Sequence, residues 1–239
     1  MIYRIGTAGW TVPPGDGGEG THLERYSRCF DAVELNSSFH RPHLRTTYAR
    51  WAASVPPEFR FSVKVPKLVT HELRLRRCRS ETADFLDQVC GLGEKLEVLL
   101  VQLPPSLEFD RRCAIAFFRL LGGFGRAYIV CEPRHASWFV PRTDAVLQEL
   151  GVARAVADPA VVAAAAREGG HRACAYHRLH GSPHMYYSSY PPDFIAAVAG
   201  RMQAPSPAAQ AIWCIFDNTA AGAAWRNAWE LRNLFVPAE

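Results

Sequence analysis

The sequence predicts an α/β protein that closes into a single (β/α)8 barrel of the TIM type. Eight short apolar runs, rich in β-branched residues, alternate along the chain with stretches of helical periodicity. Nearly every run ends in a polar or charged residue, which places candidate functional groups at the carboxyl ends of the strands. The length of 239 residues is close to that of one such barrel, so residues 1–239 are expected to form one domain.

The predicted strands follow one another along the whole chain. They are residues 3–7, 32–36, 60–65, 98–103, 127–132, 153–158, 175–180 and 211–217. The first run leads into a glycine-rich segment, residues 15–20, which is expected to be a loop.

Helical spacing of apolar residues returns after each predicted strand. The predicted helices are one that begins near Thr21, and residues 47–54, 81–92, 111–121, 143–150, 160–168, 192–202 and 221–234. Pro205 and Pro207 indicate a connector into the last strand and not a linker between domains.

Alternation within the strands assigns the polar residues to one face of the sheet. Successive side chains of a strand point in opposite directions, and the polar set is assigned to the barrel interior. This set is Glu34, Asn36, Ser62, Lys64, Gln102, Glu132, Asp158, Tyr176, Arg178 and His180. The apolar partners that are expected to face the helices include Leu35, Val63, Val65, Val101 and Leu103.

A polar barrel interior needs compensation, because burial of an unpaired polar group costs about 2–7 kcal/mol. One interpretation is structural: Glu34 pairs with Lys64, and Glu132 pairs with Arg178, beneath the loops. The other is a functional pocket in which the same groups also bind a ligand. The pocket is favoured because this face carries the site in essentially all characterised enzymes of this architecture.

The candidate catalytic residues are Glu34, Lys64, Glu132, Asp158, Arg178 and His180. Desolvation would lower the pKa of Lys64 and suit it to act as a base or an amine nucleophile. A nearby Glu34 would oppose that shift, so an ion-paired Lys64 is the favoured interpretation. Glu132 and Asp158 could divide acid and base roles, with pairing to Arg178 as the competing explanation.

Basic and aromatic residues follow several of the predicted strands. Arg74, Arg76 and Arg77 follow the third strand, where an ordinary solvated loop is the alternative explanation. Arginine matches phosphate or carboxylate, so the leading hypothesis is an enzyme that performs acid/base chemistry on a small anionic substrate. The alternatives are a nucleic-acid-binding or phosphodiester-processing protein that uses the basic and aromatic rim, and a non-catalytic ligand sensor.

Metal and cofactor chemistry has weaker support in the sequence. Glu34, Glu132, Asp158, His71 and His180 could ligate a divalent metal, but no His-Glu-x-x-His helix is present, and no metal ligands are assigned. No Gly-x-Ser-x-Gly elbow and no organic cofactor motif are present either. The cofactor is therefore left unknown, and a divalent metal is an alternative that is not favoured.

Composition limits the partners and the compartment. A net charge of +4 is too small by itself to indicate nucleic acid. Seven cysteines without a Cys-x-x-Cys pair indicate reduced thiols in a reducing cytosol, so a cytoplasmic protein is expected. No apolar run approaches the roughly 20 residues that span a bilayer, and no membrane partner is expected. The oligomeric state is not predicted.

Seven segments together resemble one known family. They are residues 6–10 (GTAGW), 33–39 (VELNSSF), 61–66 (FSVKVP), 101–105 (VQLPP), 132–138 (EPRHASW), 176–181 (YHRLHG) and 216–219 (FDNT). The combination resembles the YecE-like family, domain of unknown function 72, over essentially the full chain. The resemblance implies a TIM-barrel fold and no established activity. Asp217-Asn218 stands where an Asn-Asn pair is usual in that family.

Residues in or beside these segments are candidates for substrate binding. They are Trp10, Asn36, His71, Gln102, Arg134, His135, Trp138, Tyr190, Asp217 and Asn218.

Overall fold

The computed structural model describes residues 2–14 and 18–235, in which strands and helices alternate. Its strands are β1 (Ile2–Thr7), β2 (Ala32–Leu35), β3 (Arg60–Lys64), β4 (Leu96–Gln102), β5 (Tyr128–Glu132), β6 (Val152–Arg154), β7 (Val156–Asp158), β8 (Gly169–Gly170), β9 (Cys174–Leu179) and β10 (Ala211–Phe216). Its α-helices are α1 (His22–Ser27), α2 (Ser37–His40), α3 (Arg45–Ala53), α4 (Arg79–Val89), α5 (Arg111–Gly122), α6 (Pro141–Glu149), α7 (Pro192–Gln203) and α8 (Ala223–Asn233). Residues 15–17 of the predicted glycine-rich loop lie outside the described ranges.

Shorter helical turns lie between these elements. A π-helical turn spans Leu68–Glu72, and 3-10 turns span Cys90–Lys95, Ala136–Phe139 and Ala163–Ala166. No α-helix of the described residues is long and apolar enough to cross a membrane.

The strands form two sheets that are almost entirely parallel. One sheet has the order β1-β10-β9-β7, and the other has the order β2-β3-β4-β5-β6-β8. The pairing of β6 with β8 is antiparallel, whereas the other strand pairs are parallel. The parallel order places the carboxyl ends of the long strands at one edge, as the alternation of strands and helices predicts.

Hydrogen bonds join the two sheets at both sides. Ala8 pairs with Glu34 in parallel orientation just after β1, and the Gly9 amide donates to the Glu34 carbonyl at 2.8 Å. On the other side, the Ala155 amide between β6 and β7 donates to the Cys131 carbonyl of β5 at 2.9 Å. The chain therefore changes partner at Ala155, from β5 before it to β9 after it.

Two apolar clusters occupy the two faces of the strands. The larger cluster includes Leu35, Val63, Val65, Val101 and Leu103 together with helix residues, so the predicted helix-facing set is confirmed. The smaller cluster lies on the opposite face and includes Leu100, Val130, Tyr176 and Trp213. The polar side chains of the strand ends lie above this smaller cluster, because they belong to the same face of the strands.

The predicted helix over residues 160–168 is wrong. The structure has only the 3-10 turn Ala163–Ala166 there, followed by β8. Val162 before the turn and Arg167 after it have extended backbones, and the β-branched Val161 and Val162 disfavour helix initiation. The short α2 was not predicted, since it follows directly on β2 and spans only four residues.

Candidate functional site

Arg178 of β9 is the centre of a buried ionic network. Its guanidinium holds Glu34 of β2 in two hydrogen bonds, from Nε to Oε2 at 2.8 Å and from Nη2 to Oε1 at 2.6 Å. Nη1 donates to Oε2 of Glu132 of β5, and Nη2 donates to Oδ2 of Asp217 at 3.0 Å. The Arg178 side chain is fully buried, so one cation binds three carboxylates away from bulk water.

His180 and Arg134 extend the network toward the loops. The His180 amide donates to the Asp158 carbonyl at 2.7 Å, which continues β9 by one residue and fixes the ring position. Its Nδ1 lies 3.0 Å from Oδ2 of Asp217, and its Nε2 lies 3.0 Å from Oε1 of Glu132. Arg134 Nη2 lies 2.5 Å from the same Glu132 oxygen and 2.8 Å from His180 Nε2. The buried Nε of Arg134 has no partner among the described residues.

Tyr176 and Ser62 form the floor of the network. The Tyr176 hydroxyl donates to Oε2 of Glu34 at 2.9 Å and lies 2.8 Å from the Ser62 hydroxyl. Alternation correctly assigns both residues to the polar face, but neither is among the predicted site residues. The spacing of Tyr176 two residues before Arg178 was the available signal.

The network holds Glu132, Asp217 and Arg178 in their charged forms. Burial opposes ionisation of Glu132, but Arg178, His180 and Arg134 together hold the pKa of that carboxyl well below its usual range. Burial likewise acts against Asp217, whose pKa is nevertheless lowered, chiefly by Arg178. The pKa of Arg178 is raised despite its burial, by Glu132 first and then by Glu34 and Asp217.

Lys64 of β3 faces the same region without an ion pair. Its side chain is 9% exposed, and its Nζ lies 4.1 Å from the centre of the Phe39 ring. Burial, and then the Arg178 charge, lowers the pKa of Lys64 to about 8. The expected Glu34–Lys64 pair is wrong, because both oxygens of Glu34 are taken by Arg178, whose planar fork matches a carboxylate.

His71 and Gln102 lie beside these groups. The His71 ring packs edge-on against Phe39, with ring centres 5.1 Å apart, and its Nδ1 lies 2.9 Å from the Thr70 hydroxyl. Burial and the Lys64 charge lower the pKa of His71. Gln102 is the register partner of Glu132, so both side chains share one face of the neighbouring strands β4 and β5.

Asp158 lies on the opposite face from the predicted one. It pairs with Leu179, which packs in the larger, helix-facing cluster, whereas Ala157 pairs with Arg178. The Asp158 carboxylate accepts a hydrogen bond of 2.7 Å from the Tyr190 hydroxyl. Ala153, Ala155 and Ala157 share the interior face in unbroken alternation, so Asp158 faces the helices and does not form an acid/base pair with Glu132.

Four of the predicted binding residues support the backbone of the loops. Tyr190 is buried, and its ring stacks on that of Phe194 with the ring centres 4.4 Å apart. Its hydroxyl accepts a hydrogen bond of 2.8 Å from the Gly181 amide. The buried Asn218 amide donates to the Ser188 carbonyl and to Asn227. Trp138, a candidate for substrate binding, is only 1% exposed, and its indole donates to the Leu107 carbonyl.

His135 is the fourth of these residues. Its Nδ1 contacts the Ser137 hydroxyl at 2.9 Å and accepts from the Ser137 amide at 3.3 Å, at the start of the 3-10 turn Ala136–Phe139. The ring thus caps a local turn, as short polar side chains do at helix starts.

Trp10 and Asn36 line a separate cavity of about 300 Å³ with Gly9, Thr11, His22, Leu35 and Ser37. The Trp10 ring packs edge-on against Trp51 at 5.2 Å. Asn36 has a helical backbone and follows the last residue of β2, so strand alternation no longer assigns its side chain to the interior.

The carboxylates do not form a metal site in this arrangement. In residues 2–14 and 18–235 no group of three or more His, Cys, Asp or Glu side chains is placed to hold a metal ion. The Arg178 guanidinium already occupies the position between Glu34, Glu132 and Asp217.

The basic loop after β3 has partners of its own. Arg76 forms an exposed ion pair with Asp110 at 2.9 Å, and Arg74 donates to the Ser106 hydroxyl and carbonyl. Exposed pairs of this kind contribute about 0–1 kcal/mol, so these contacts orient a solvated loop.

The fold and the site together define an α/β protein of parallel strands whose charged groups gather at the strand ends. The family model described as "Protein of unknown function DUF72" matches residues 4–238, and the chain belongs to that family.

Known relatives agree with this assignment. The UPF0759 protein YecE of Escherichia coli (strain K12) is 29% identical over 171 residues, which are 69% of this chain and 62% of that protein. The UPF0759 protein YecE of Escherichia coli O157:H7 is 30% identical over 140 residues, which are 58% of this chain and 50% of that protein. The matched region thus spans less than two thirds of the length of either relative.

Two crystal structures share the fold. A DUF72 family protein from Enterococcus faecalis has a TM-score of 0.81 at 19% identity, covering 100% of this chain and 97% of that one. A DUF72 family protein from Thermotoga maritima has a TM-score of 0.80 at 22% identity, covering 98% of this chain and 99% of that one.

Proposed function

We propose that the strands close into a (β/α)8 barrel and that the chain is an enzyme acting on a small anionic substrate at the carboxyl ends of the strands. Barrel closure is supported by the bonds between Ala8 or Gly9 and Glu34 on one side, and between Ala155 and Cys131 on the other. In that arrangement β6 and β7 together count as one strand of eight, and the ionic network lies at the barrel mouth.

The unpaired amine of Lys64 is the observation that carries the proposed activity. Each carboxylate of the network has a cation within hydrogen-bond distance, whereas Lys64 forms no ion pair with any described residue. Keeping a nearly buried ammonium without a counter-ion is costly, so the position favours a ligand that supplies the missing negative charge. Phosphate and carboxylate groups are such ligands.

The same amine suits proton transfer. A pKa of about 8 places Lys64 near the pH at which it exchanges protons readily, as a general base or acid requires. Glu132 remains ionised and, with Asp217, positions the His180 ring from both of its nitrogens. Lys64 and His180 are therefore the proposed proton-transferring groups, and Arg134 with its unpartnered Nε is a second contact for the anion.

The rival functions have less support. The arginines proposed to contact nucleic acid have protein partners at Asp110 and Ser106.

A cytoplasmic location is part of the proposal, and the buried thiols of Cys131, Cys174 and Cys214, which form no disulfide, suit a reducing compartment.

A thermal-shift screen against phosphorylated and carboxylated metabolites tests the proposal. At least one compound is expected to raise the melting temperature of the wild-type chain, and the shift should be lost in Lys64→Met. Lys95→Met serves as the matched control, because the Lys95 amine donates to the carbonyls of Ala52 and Val55 far from the network.

The outcomes separate the alternatives. Mass spectrometry monitors whether the protein converts the stabilising compound: conversion indicates an enzyme, and binding without conversion indicates a sensor. Stabilisation that persists in Lys64→Met would contradict the assigned role of the amine. Binding only to oligonucleotides, with a steep loss of affinity as salt rises, would instead support the nucleic-acid hypothesis.

A further inference from the structure

Ser37 and His43 form a hydroxyl–imidazole pair outside the ionic network. The Ser37 hydroxyl lies 2.8 Å from Nε2 of His43, within the distance that joins a nucleophile to its base. Ser37 is the first residue of α2, two residues after the last residue of β2, and His43 lies in the connection between α2 and α3. The pair is therefore also at the carboxyl end of a strand.

The His43 ring is held in place and suited to accept a proton. The His43 ring packs nearly perpendicular to the rings of Trp51 and Tyr48, with ring centres 5.0 Å and 5.8 Å apart. Burial, followed by the Arg41 charge, lowers the pKa of His43, so the ring is predominantly neutral at pH 7. A neutral ring with Nε2 facing the hydroxyl can take its proton.

A cavity and an unpartnered amide accompany the pair. Ser37, Trp10 and Asn36 all line the cavity of about 300 Å³. The Asn36 side chain makes no hydrogen bond with any described residue, and its Oδ1 is buried. Buried polar groups normally have partners, so an orphaned acceptor oxygen beside a cavity points to a ligand that donates a hydrogen bond there.

Other hydroxyl–imidazole contacts in the described ranges have evident structural roles. The Ser137 hydroxyl contacts His135 at 2.9 Å and also accepts from the Phe109 amide at 2.8 Å. The Thr70 hydroxyl contacts His71 at 2.9 Å and donates to the Pro66 carbonyl at 3.1 Å. The Ser37 hydroxyl has His43 as its single partner among the described residues, which leaves it free to react.

We propose that Ser37 is an acyl-accepting nucleophile with His43 as its general base, and that the cavity beside Trp10 takes a small carboxylic ester. His43 Nε2 removes the hydroxyl proton as Ser37 Oγ bonds to the carbonyl carbon. The Asn36 Nδ2, and not its buried Oδ1, donates to the oxygen that becomes negative. Collapse breaks the ester C–O bond, and the alkoxide leaves as an alcohol with the proton from His43. Water, deprotonated by His43, then hydrolyses the acyl-serine to a carboxylic acid and restores Ser37.

Covalent labelling of the intact chain tests this proposal. Wild-type protein is treated with phenylmethylsulfonyl fluoride, and the modified residue is located by peptide mass spectrometry. A single sulfonyl adduct is expected on Ser37, and prior incubation with p-nitrophenyl acetate is expected to slow its formation by acylating the same oxygen. An adduct on any other residue, or none, would overturn the proposal without the need for a variant.

Variants then test the role of the base. His43→Gln should slow labelling of Ser37 by about 100-fold, the usual contribution of a general base. Ser37→Ala should abolish both labelling and the release of p-nitrophenol, and circular dichroism confirms that each variant is folded. Ser137→Ala is the matched control and should label like the wild type. Equal labelling rates in His43→Gln and the wild type would refute His43 as the base.

Discussion

Replacing Lys64 by Met is expected to stabilise the folded protein at pH 7, although the change removes a charged group from the proposed site. The amine is 9% exposed, has no ion pair among the described residues and rests on the Phe39 ring. Met has nearly the same shape as the aliphatic part of Lys, so the packing around Phe39 should be retained. The change removes the cost of burying an ammonium that has no direct ion pair and that nearby carboxylates compensate only in part.

The magnitude follows from the pKa of Lys64. A fall from 10.5 to about 8 on folding corresponds to about 3 kcal/mol of destabilisation of the charged form. The contact of the ammonium with the aromatic ring is worth about 1 kcal/mol and is lost in the variant. The free energy of unfolding should therefore rise by about 2 kcal/mol at pH 7.

The pH dependence has a defined sign. Between pH 8 and 10.5 the unfolded chain keeps the Lys64 proton while the folded chain releases it. The wild type accordingly gains stability with rising pH in this window, and the Met variant lacks that gain. The difference between the two proteins should be greatest below pH 8 and should largely disappear above pH 10.5.

Urea denaturation at pH 7 and pH 10 measures both effects. Lys95→Met is the control, and it should lower stability because the Lys95 amine donates to two backbone carbonyls at 2.6 Å. A Lys64→Met variant that is less stable than the wild type at pH 7 would refute the reasoning. It would show that the folded protein compensates the Lys64 charge.

Two further predictions concern the ionic network. Arg178→Leu should lower the free energy of unfolding by at least about 3–5 kcal/mol, because Glu34, Glu132 and Asp217 would lose their shared cation; an unchanged urea midpoint would contradict this. In acid, the lowered pKa values of Glu132 and Asp217 mean that their contribution to stability is complete above about pH 4.5 and is lost as pH falls through the folded-state values. Urea midpoints between pH 6 and pH 3 should therefore fall less steeply in Glu132→Gln than in the wild type, and parallel profiles would count against the assignment.

Strand positions and most face assignments could be predicted from local sequence. Period-2 alternation is a property of each strand alone, so Glu34, Glu132 and Arg178 were correctly placed on one face. Alternation also holds at Ala153, Ala155 and Ala157, which share the interior face, but the prediction took the polar strand end to point inward, and Asp158 instead binds the Tyr190 hydroxyl on the opposite face. No local pattern distinguishes a polar strand end that faces the interior from one that faces the helices. The helix predicted over residues 160–168 is wrong for a separate reason, since four alanines allow a helix without requiring one.

The ion-pair partners of the polar strand-end residues depend on how the strands assemble. Glu34 and Arg178 are 144 residues apart in the chain, and only the register of the assembled strands places the guanidinium, and not the Lys64 amine, against that carboxylate. The pairing of Ser37 with His43, the orphaned amide of Asn36 and the burial of Trp138 in the core depend likewise on how the loops pack. Composition and strand alternation are local properties, so the amino-acid sequence alone indicates which residues are polar at the strand ends. Which of them are neutralised and which are left to meet a ligand depends on distances of a few ångströms between segments remote in sequence, and these exist only in the folded chain.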